Sequence, residues 1–225
     1  MIITYVCNIF TLLLIYVILM KVVIAGDIIN SQQNDPETFV KVLKDILSEY
    51  SSDGLFQIYR GDSFQALIKT PELGLYVSIK IKAALKRFGD LDVRIAIGLG
   101  NVELIENNIA VSTGSALTKS GMLLDSLKEK GVNMMVQSGH PLDDYFNLTL
   151  KMACLYMDHW TQNSAEVIVA VMEHPGITQE AIGKILGVQQ ATLSRRLQRA
   201  NWKETSELID QFAQYYKDVS NDSIL

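Results

Sequence analysis

Cysteine and histidine are scarce in this chain of 225 residues: it has 2 cysteines and 3 histidines. Cys7 and Cys154 stand far apart without ligand-like neighbours. That argues against a disulfide framework or a cysteine zinc site, and for a reducing compartment. His140, His159 and His174 are too few and too scattered for a histidine-rich metal site. Basic residues are not in excess either. Lys and Arg number 20 against 25 Asp and Glu, a net charge of −5. The chain as a whole is therefore no general polyanion binder, and nucleic-acid contact would need a local basic face. Internal repeats and low-complexity tracts are absent as well.

Apolar residues, by contrast, are plentiful at 48%, enough for one large domain or one domain and a small companion. The first residues, MIITYVCNIFTLLLIYVILM, are almost continuously apolar and just long enough to cross a bilayer. They lack the basic start and cleavage site of a secretory signal. If residues 1–19 form a genuine span, Lys21 favours a cytoplasmic location for the domains after it. The rival expectation is a translation start at Met20. A strand, KVVIAGDIINS, begins at once with no linker, so 1–19 would be an extension of the gene model and the protein cytoplasmic.

From Lys21 to Ala25 a short β-branched run predicts a buried strand ended by Gly26-Asp27. Asp35 is placed to cap, and Pro36 to open, a helix over 36–49 with Phe39, Val40, Leu43, Ile46 and Leu47 on one face. Leu55–Tyr59 and Phe64–Ile68, around Gly61-Asp62, read as a hairpin. Pro71 opens a second helix, although Val77, Ile79 and Ile81 also alternate like a strand. Val93–Leu99 is a strand, 102–111 a hairpin-like insert around Asn107-Asn108, 117–130 a helix and 131–137 a last strand. The order predicts an α+β sheet with helices on one face, ferredoxin-like in its first six elements. No strand signal remains after Leu142. A long connecting helix should carry Leu148, Met152, Leu155 and Trp160, with more helices beyond it. The expected domains are 20–141, a connecting helix over 142–163, an all-α domain over 164–219 and a frayed tail over 220–225.

The stretch GITQEAIGKILGVQQATLSRRLQRANW, from Gly176 to Trp202, reads as helix, tight turn, helix. Thr178 caps the first helix and Ile177 staples its entry. Ile182, Ile185 and Leu186 make an apolar stripe, Gly183 is small at the crossing, and Gly187 supplies a left-handed turn residue. Val188, Leu193 and Leu197 continue the core. The pattern resembles the helix-turn-helix of bacterial regulators and sigma-factor-like domains. That resemblance implies a second helix in the major groove. Gln190, Ala191, Ser194 and Arg195 would face base edges, and Thr192, Arg196 and Arg199 phosphates, with Gln189 on the same DNA-binding surface. One module binds weakly, so a homodimer is expected. The alternative is a protein-interaction module without DNA.

Asp27 and Asp62 should meet at one edge of the sheet, where two carboxylates suit a divalent ion. Amides from Ile28, Ile29, Asn30 and Ser31 would face phosphate oxygens. The bland alternative is ordinary turn chemistry. AGDIINS, YRGDSFQALI and VRIAIGLG, in this order, resemble class III nucleotidyl cyclase domains. With the long helix and helix-turn-helix beyond them, the chain from Met20 to about 203 is identified as similar to the bacterial SatD family. The resemblance implies metal at Asp27 and Asp62, with Mg²⁺ or Mn²⁺ and a nucleotide as ligands. The cyclase Asn and Arg, however, fall at Thr118 and Met122, and methionine supplies no charge to a transferring phosphate. The expectation is therefore a regulator with a degenerate cyclase-like input domain. A metal-dependent nucleotide-processing enzyme is the alternative.

Overall fold

The computed structural model describes residues 20–222. The apolar run 1–19 with Cys7, and residues 223–225, lie outside the described residues, as do the expectations attached to them. In chain order the first elements are β1 (Lys21–Ile29), α1 (Pro36–Tyr50), β2 (Ser51–Tyr59), β3 (Ser63–Ile68), α2 (Gly74–Lys86) and β4 (Asp92–Gly100). Next come β5 (Glu103–Ile105), β6 (Asn108–Thr113), α3 (Ser115–Lys130) and β7 (Met134–Gln137). Five helices complete the described chain: α4 (Leu142–Met157), α5 (Gln162–Glu173), α6 (Gln179–Ile185), α7 (Gln190–Arg199) and α8 (Trp202–Asp222).

The fold is α+β around a mixed five-stranded sheet of order β2-β3-β1-β4-β7. β1 runs antiparallel to both β3 and β4, β2 antiparallel to β3, and β7 parallel to β4. The β-branched run makes β1 a central strand because both its faces are covered. Val22, Ile24 and Ile28 face one core, and Val23 faces another. β5 and β6 form a separate two-stranded ribbon. Its turn falls on Glu106 and Asn107, both with positive φ, one residue earlier than the Asn107-Asn108 of the sequence.

Local signals explain the helix starts. The Asp35 carboxylate accepts the Glu37 amide at 3.0 Å, with Pro36 in the first turn. α2 is buried on nearly every side, Val77, Ile79 and Ile81 included. A helix enclosed all round loses its 3.6-residue period, which is why its sequence also reads as a strand.

Two expectations about packing are corrected. Helices cover both faces of the sheet, not one. Ile95 and Ile97 of β4 join the large core with α1 and α2, whereas Ala96 packs with Leu123 and Leu127 of α3 on the opposite face. α3 lies so close that a Cβ on Gly98 would stand 2.3 Å from the Ala116 carbonyl oxygen. The connecting helix is also shorter than expected and does not carry Trp160. Leu148, Met152 and Leu155 point outward, while Phe146, Leu150, Ala153, Cys154 and Met157 are buried. α4 ends at Met157, so Trp160 sits beyond it, buried, with its indole N–H donating to the Ala200 carbonyl at 2.9 Å. α4 carries apolar residues on two faces, and only the packing decides which is inward.

The large core runs across residue 142. Val22, Ile24 and Leu75 share it with Phe146, Phe212 and Tyr216. The Tyr216 hydroxyl donates to the Met20 carbonyl at 2.6 Å, so the last helix closes on the first described residue. A smaller cluster of Val167, Ala170, Ile182, Leu193 and Leu197 belongs to α5, α6 and α7. No helix among the described residues is long and apolar enough to cross a membrane.

Candidate functional site

The surface of α7 is set by the turn before it. The Thr178 hydroxyl accepts the Ala181 amide at 3.3 Å and starts α6. Gly187 takes φ 66°, and the Val188 amide then donates to the Gly183 carbonyl at 2.8 Å. A Cβ on Gly183 would stand 2.8 Å from the Val188 carbonyl oxygen, so any larger residue would push α6 and α7 apart. Leu193 and Leu197 fix the inner face of α7 against Val167 and Ala170 of α5.

That leaves Gln189, Gln190, Ala191, Ser194, Arg195, Gln198 and Arg199 exposed on the outer face, with Thr192 half-buried. Among the described residues Arg195 has no ion-pair partner; its carbonyl accepts the Arg199 Nε–H at 3.3 Å. Arg196 departs from expectation. Its guanidinium pairs with Glu166 of α5 at 2.9 Å, so it anchors α7 instead of facing outward. Ile185 is also outside the stripe assigned to it, being 55% exposed. At about 100° per residue the buried arc of α6 through Ile182, Gly183 and Leu186 leaves position 185 roughly a quarter-turn away.

Asp27 and Asp62 lie at one end of the sheet, each carboxylate on partners of its own. The hairpin turn is centred on Arg60 and Gly61, which have φ of 53° and 86°. Asp62 therefore comes after the turn, its amide donating to the Tyr59 carbonyl at 3.2 Å. The Asp62 carbonyl accepts the Ile28 amide at 2.8 Å, which brings Asp62 beside the end of β1. The Asp62 carboxylate accepts the Ser31 hydroxyl at 3.1 Å. Asp27 is held by Arg94 of β4, Nη1 to Oδ2 at 2.8 Å.

The phosphate cradle expected of residues 28–31 is reduced. β1 continues to Ile29, opposite Asp92, and the Ile28 amide is already donated. Asn30 has φ 63° and anchors its side-chain amide on the Asp90 carbonyl at 2.9 Å. On α3, Met122 is 66% exposed and the Thr118 hydroxyl bonds back to the Gly114 carbonyl at 3.2 Å. Lys119 is tied to the Leu99 and Ser138 carbonyls, and burial depresses its pKa. Positions 118, 119 and 122 of α3 thus offer no free cation in place of the cyclase arginine.

A divalent ion fits this arrangement poorly. Arg94 already supplies the counter-charge to Asp27, and a metal at Asp27 and Asp62 would have to displace it. No group of three or more His, Cys, Asp or Glu side chains placed to hold a metal occurs among the described residues.

Sequence reasoning missed a buried charge network near this end. Lys82, fully buried, stands 2.6 Å from Asp92 and 2.6 Å from Asp158. Lys86 reaches Asp92 at 2.9 Å and the Asp158 carbonyl at 2.6 Å. Burial alone would lower the Lys82 pKa, but the two carboxylates outweigh it and raise it. Above the network lies an open polar cleft of about 910 Å³, lined in part by Asn30, Gln33, Asp90, Asn133, His159 and Gln162. Only the closely spaced lysines of KIKAALK hinted at the network, because their partners are remote in sequence. Asp143, in the first turn of α4, accepts the Ser138 and Gly139 amides at 2.8 and 2.9 Å and the Tyr215 hydroxyl. Ser112 and Ser115 are engaged locally, Ser112 within the β5–β6 ribbon and Ser115 with Asn101.

No protein-family model matches the chain, and no curated protein matches it significantly.

Proposed function

We propose that this protein is a DNA-binding transcriptional regulator whose sheet domain is its input part. One observation carries this: the outer face of α7 presents Gln190, Ala191, Ser194, Arg195 and Arg199 together, on a helix whose inner face is locked. We read α6 and α7 as a helix-turn-helix, with α7 in the major groove. Gln189, Gln190, Ala191, Ser194 and Arg195 meet base edges; Thr192 and Arg199 meet phosphate. Arg196 positions the helix through Glu166. The antiparallel order β2-β3-β1-β4, with α1 and α2 on one face, supports a ferredoxin-like, cyclase-like reading of the sheet and the resemblance to the SatD family. A nucleotide is the ligand that this resemblance implies for the input part. A cytoplasmic location and a homodimer accompany the reading.

Binding to genomic fragments over a salt series tests it. One phosphate-facing arginine per copy, Arg199, gives log K a slope against log salt of about −0.9 per copy. Arg195→Ala weakens the selected site by about 5- to 150-fold, the cost of one lost base contact of about 1–3 kcal/mol. A flat salt dependence, or full affinity in the variant, would refute DNA binding.

A metal-dependent enzyme using Asp27 and Asp62 has less support, because Arg94 holds Asp27. Calorimetry with Mn²⁺ should find wild-type binding weaker than about 1 mM, and Arg94→Met should tighten it roughly tenfold by freeing the carboxylate. Micromolar Mn²⁺ binding by the wild type, with turnover of ATP or GTP lost in Asp62→Asn, would restore the enzyme.

A further inference from the structure

Four large apolar side chains stand on the outer face of α4. Tyr145 is 74% exposed, Leu148 59%, Met152 62% and Leu155 74%. Their steps along the helix match the a-d-a-d spacing of a heptad, so they form one seam along the axis. The opposite face of α4 already fills the core with Phe146, Leu150, Ala153, Cys154 and Met157. The seam exposes roughly 500 Å² of mainly apolar side chain, at the upper end of what a monomer leaves open.

We propose that this seam is the two-fold interface between two copies of this chain, α4 packing antiparallel on α4. The spacing itself points to a second copy. It reads the same in both directions about Leu150. A two-fold axis there sets Tyr145 against Leu155 of the second copy and Leu148 against its Met152, and each contact recurs across the axis. Covering the seam on both copies removes on the order of 1,000 Å² from water, which reaches the lower bound for a specific interface. A receiving groove of about 240 Å³ lies between α4 and α8 beside Tyr145, lined among others by Leu142, Phe146, Thr149 and Leu208. The Leu155 of the second copy docks at its mouth. A lipid surface is the poorer occupant, because α4 carries a single lysine, Lys151, against Asp143 and Asp144. The interface does not depend on DNA binding. Where DNA binding holds, the two-fold axis also supplies the pair of α7 helices that a palindromic site requires.

The test uses the full chain. Light scattering over a concentration series should give twice the 25.1 kDa protomer mass. Leu148→Glu combined with Leu155→Glu should weaken association at least a hundredfold. The thermal midpoint should hardly move, since both side chains are exposed. In a Cys7→Ser background, oxidised Leu148→Cys/Met152→Cys should form a covalent dimer, and neither single cysteine variant should. A monomer at every concentration overturns the proposal, even if that monomer binds vesicles or another protein through the seam. Association untouched by the glutamates overturns it too, as do single cysteine variants that cross-link, the pattern of a parallel pair.

Discussion

Lys82→Met lowers the unfolding free energy by about 3–5 kcal/mol, the usual cost of removing one partner from a buried ion pair. The substitution preserves volume, so the loss is electrostatic. The Asp92 carboxylate is left with Lys86 and the Asp158 carboxylate with the Asn133 amide, and Asp92 is itself almost covered. In urea the midpoint should fall by about 1–2 M for a chain of this size. Lys184→Met serves as the control. That lysine pairs with Glu180 on the open surface of α6, both side chains being well exposed, and its loss should cost less than about 0.5 kcal/mol. Equal shifts for the two variants would show that the network is not a supporting element. The linkage to pH has a definite sign. The folded-state pKa of Lys82 is raised, so its stabilisation is complete below the unfolded value of about 10.4 and is lost as alkaline pH passes the folded one.

Phe212→Ala costs a similar amount, about 3–5 kcal/mol, through transfer and cavity terms together. Phe212 is fully buried, with ring centroids 5.8 Å from Phe146 and 5.9 Å from Tyr215. It also lies against Gly74, where an added Cβ would come within 3.2 Å of its ring. The residue thus joins the last helix to the start of α2. Circular dichroism and tryptophan emission should show one coincident transition, shifted as a unit in the variant. A loss below about 1 kcal/mol, or two separated transitions, would mean that α8 is an appendage and not part of the common core.

Where sequence and structure agree, the signal is local. Asp35-Pro36 caps and opens α1, Thr178 starts α6, and Gly187 turns the chain, each through neighbours a few residues away. Where they part, the deciding contact is remote. Nothing near Lys82 in sequence marks it as buried; Asp158, far along the chain, comes to stand against it. Arg196 looks like a phosphate ligand until Glu166 takes it. Leu148, Met152 and Leu155 satisfy a helical period as well as Phe146, Leu150 and Ala153 do, and only β7 and α8 choose between the two faces. At the carboxylate edge, the placing of Asp62 beside the end of β1 was legible from strand order. The Arg94 pairing needed the antiparallel register that sets Asp27 opposite it.

Trp160 gives the molecule an optical handle. The chain has 2 tryptophans, and both flank the C-terminal end of α7: Trp160 donates to the Ala200 carbonyl, and Trp202 opens α8. Intrinsic emission therefore arises from the base of α7, with no label attached. Any ligand of the polar cleft, which Trp160 helps to line, changes the surroundings of that fluorophore directly. A wavelength shift on adding a ligand would be read out at the joint between the large core and the cluster of α5, α6 and α7.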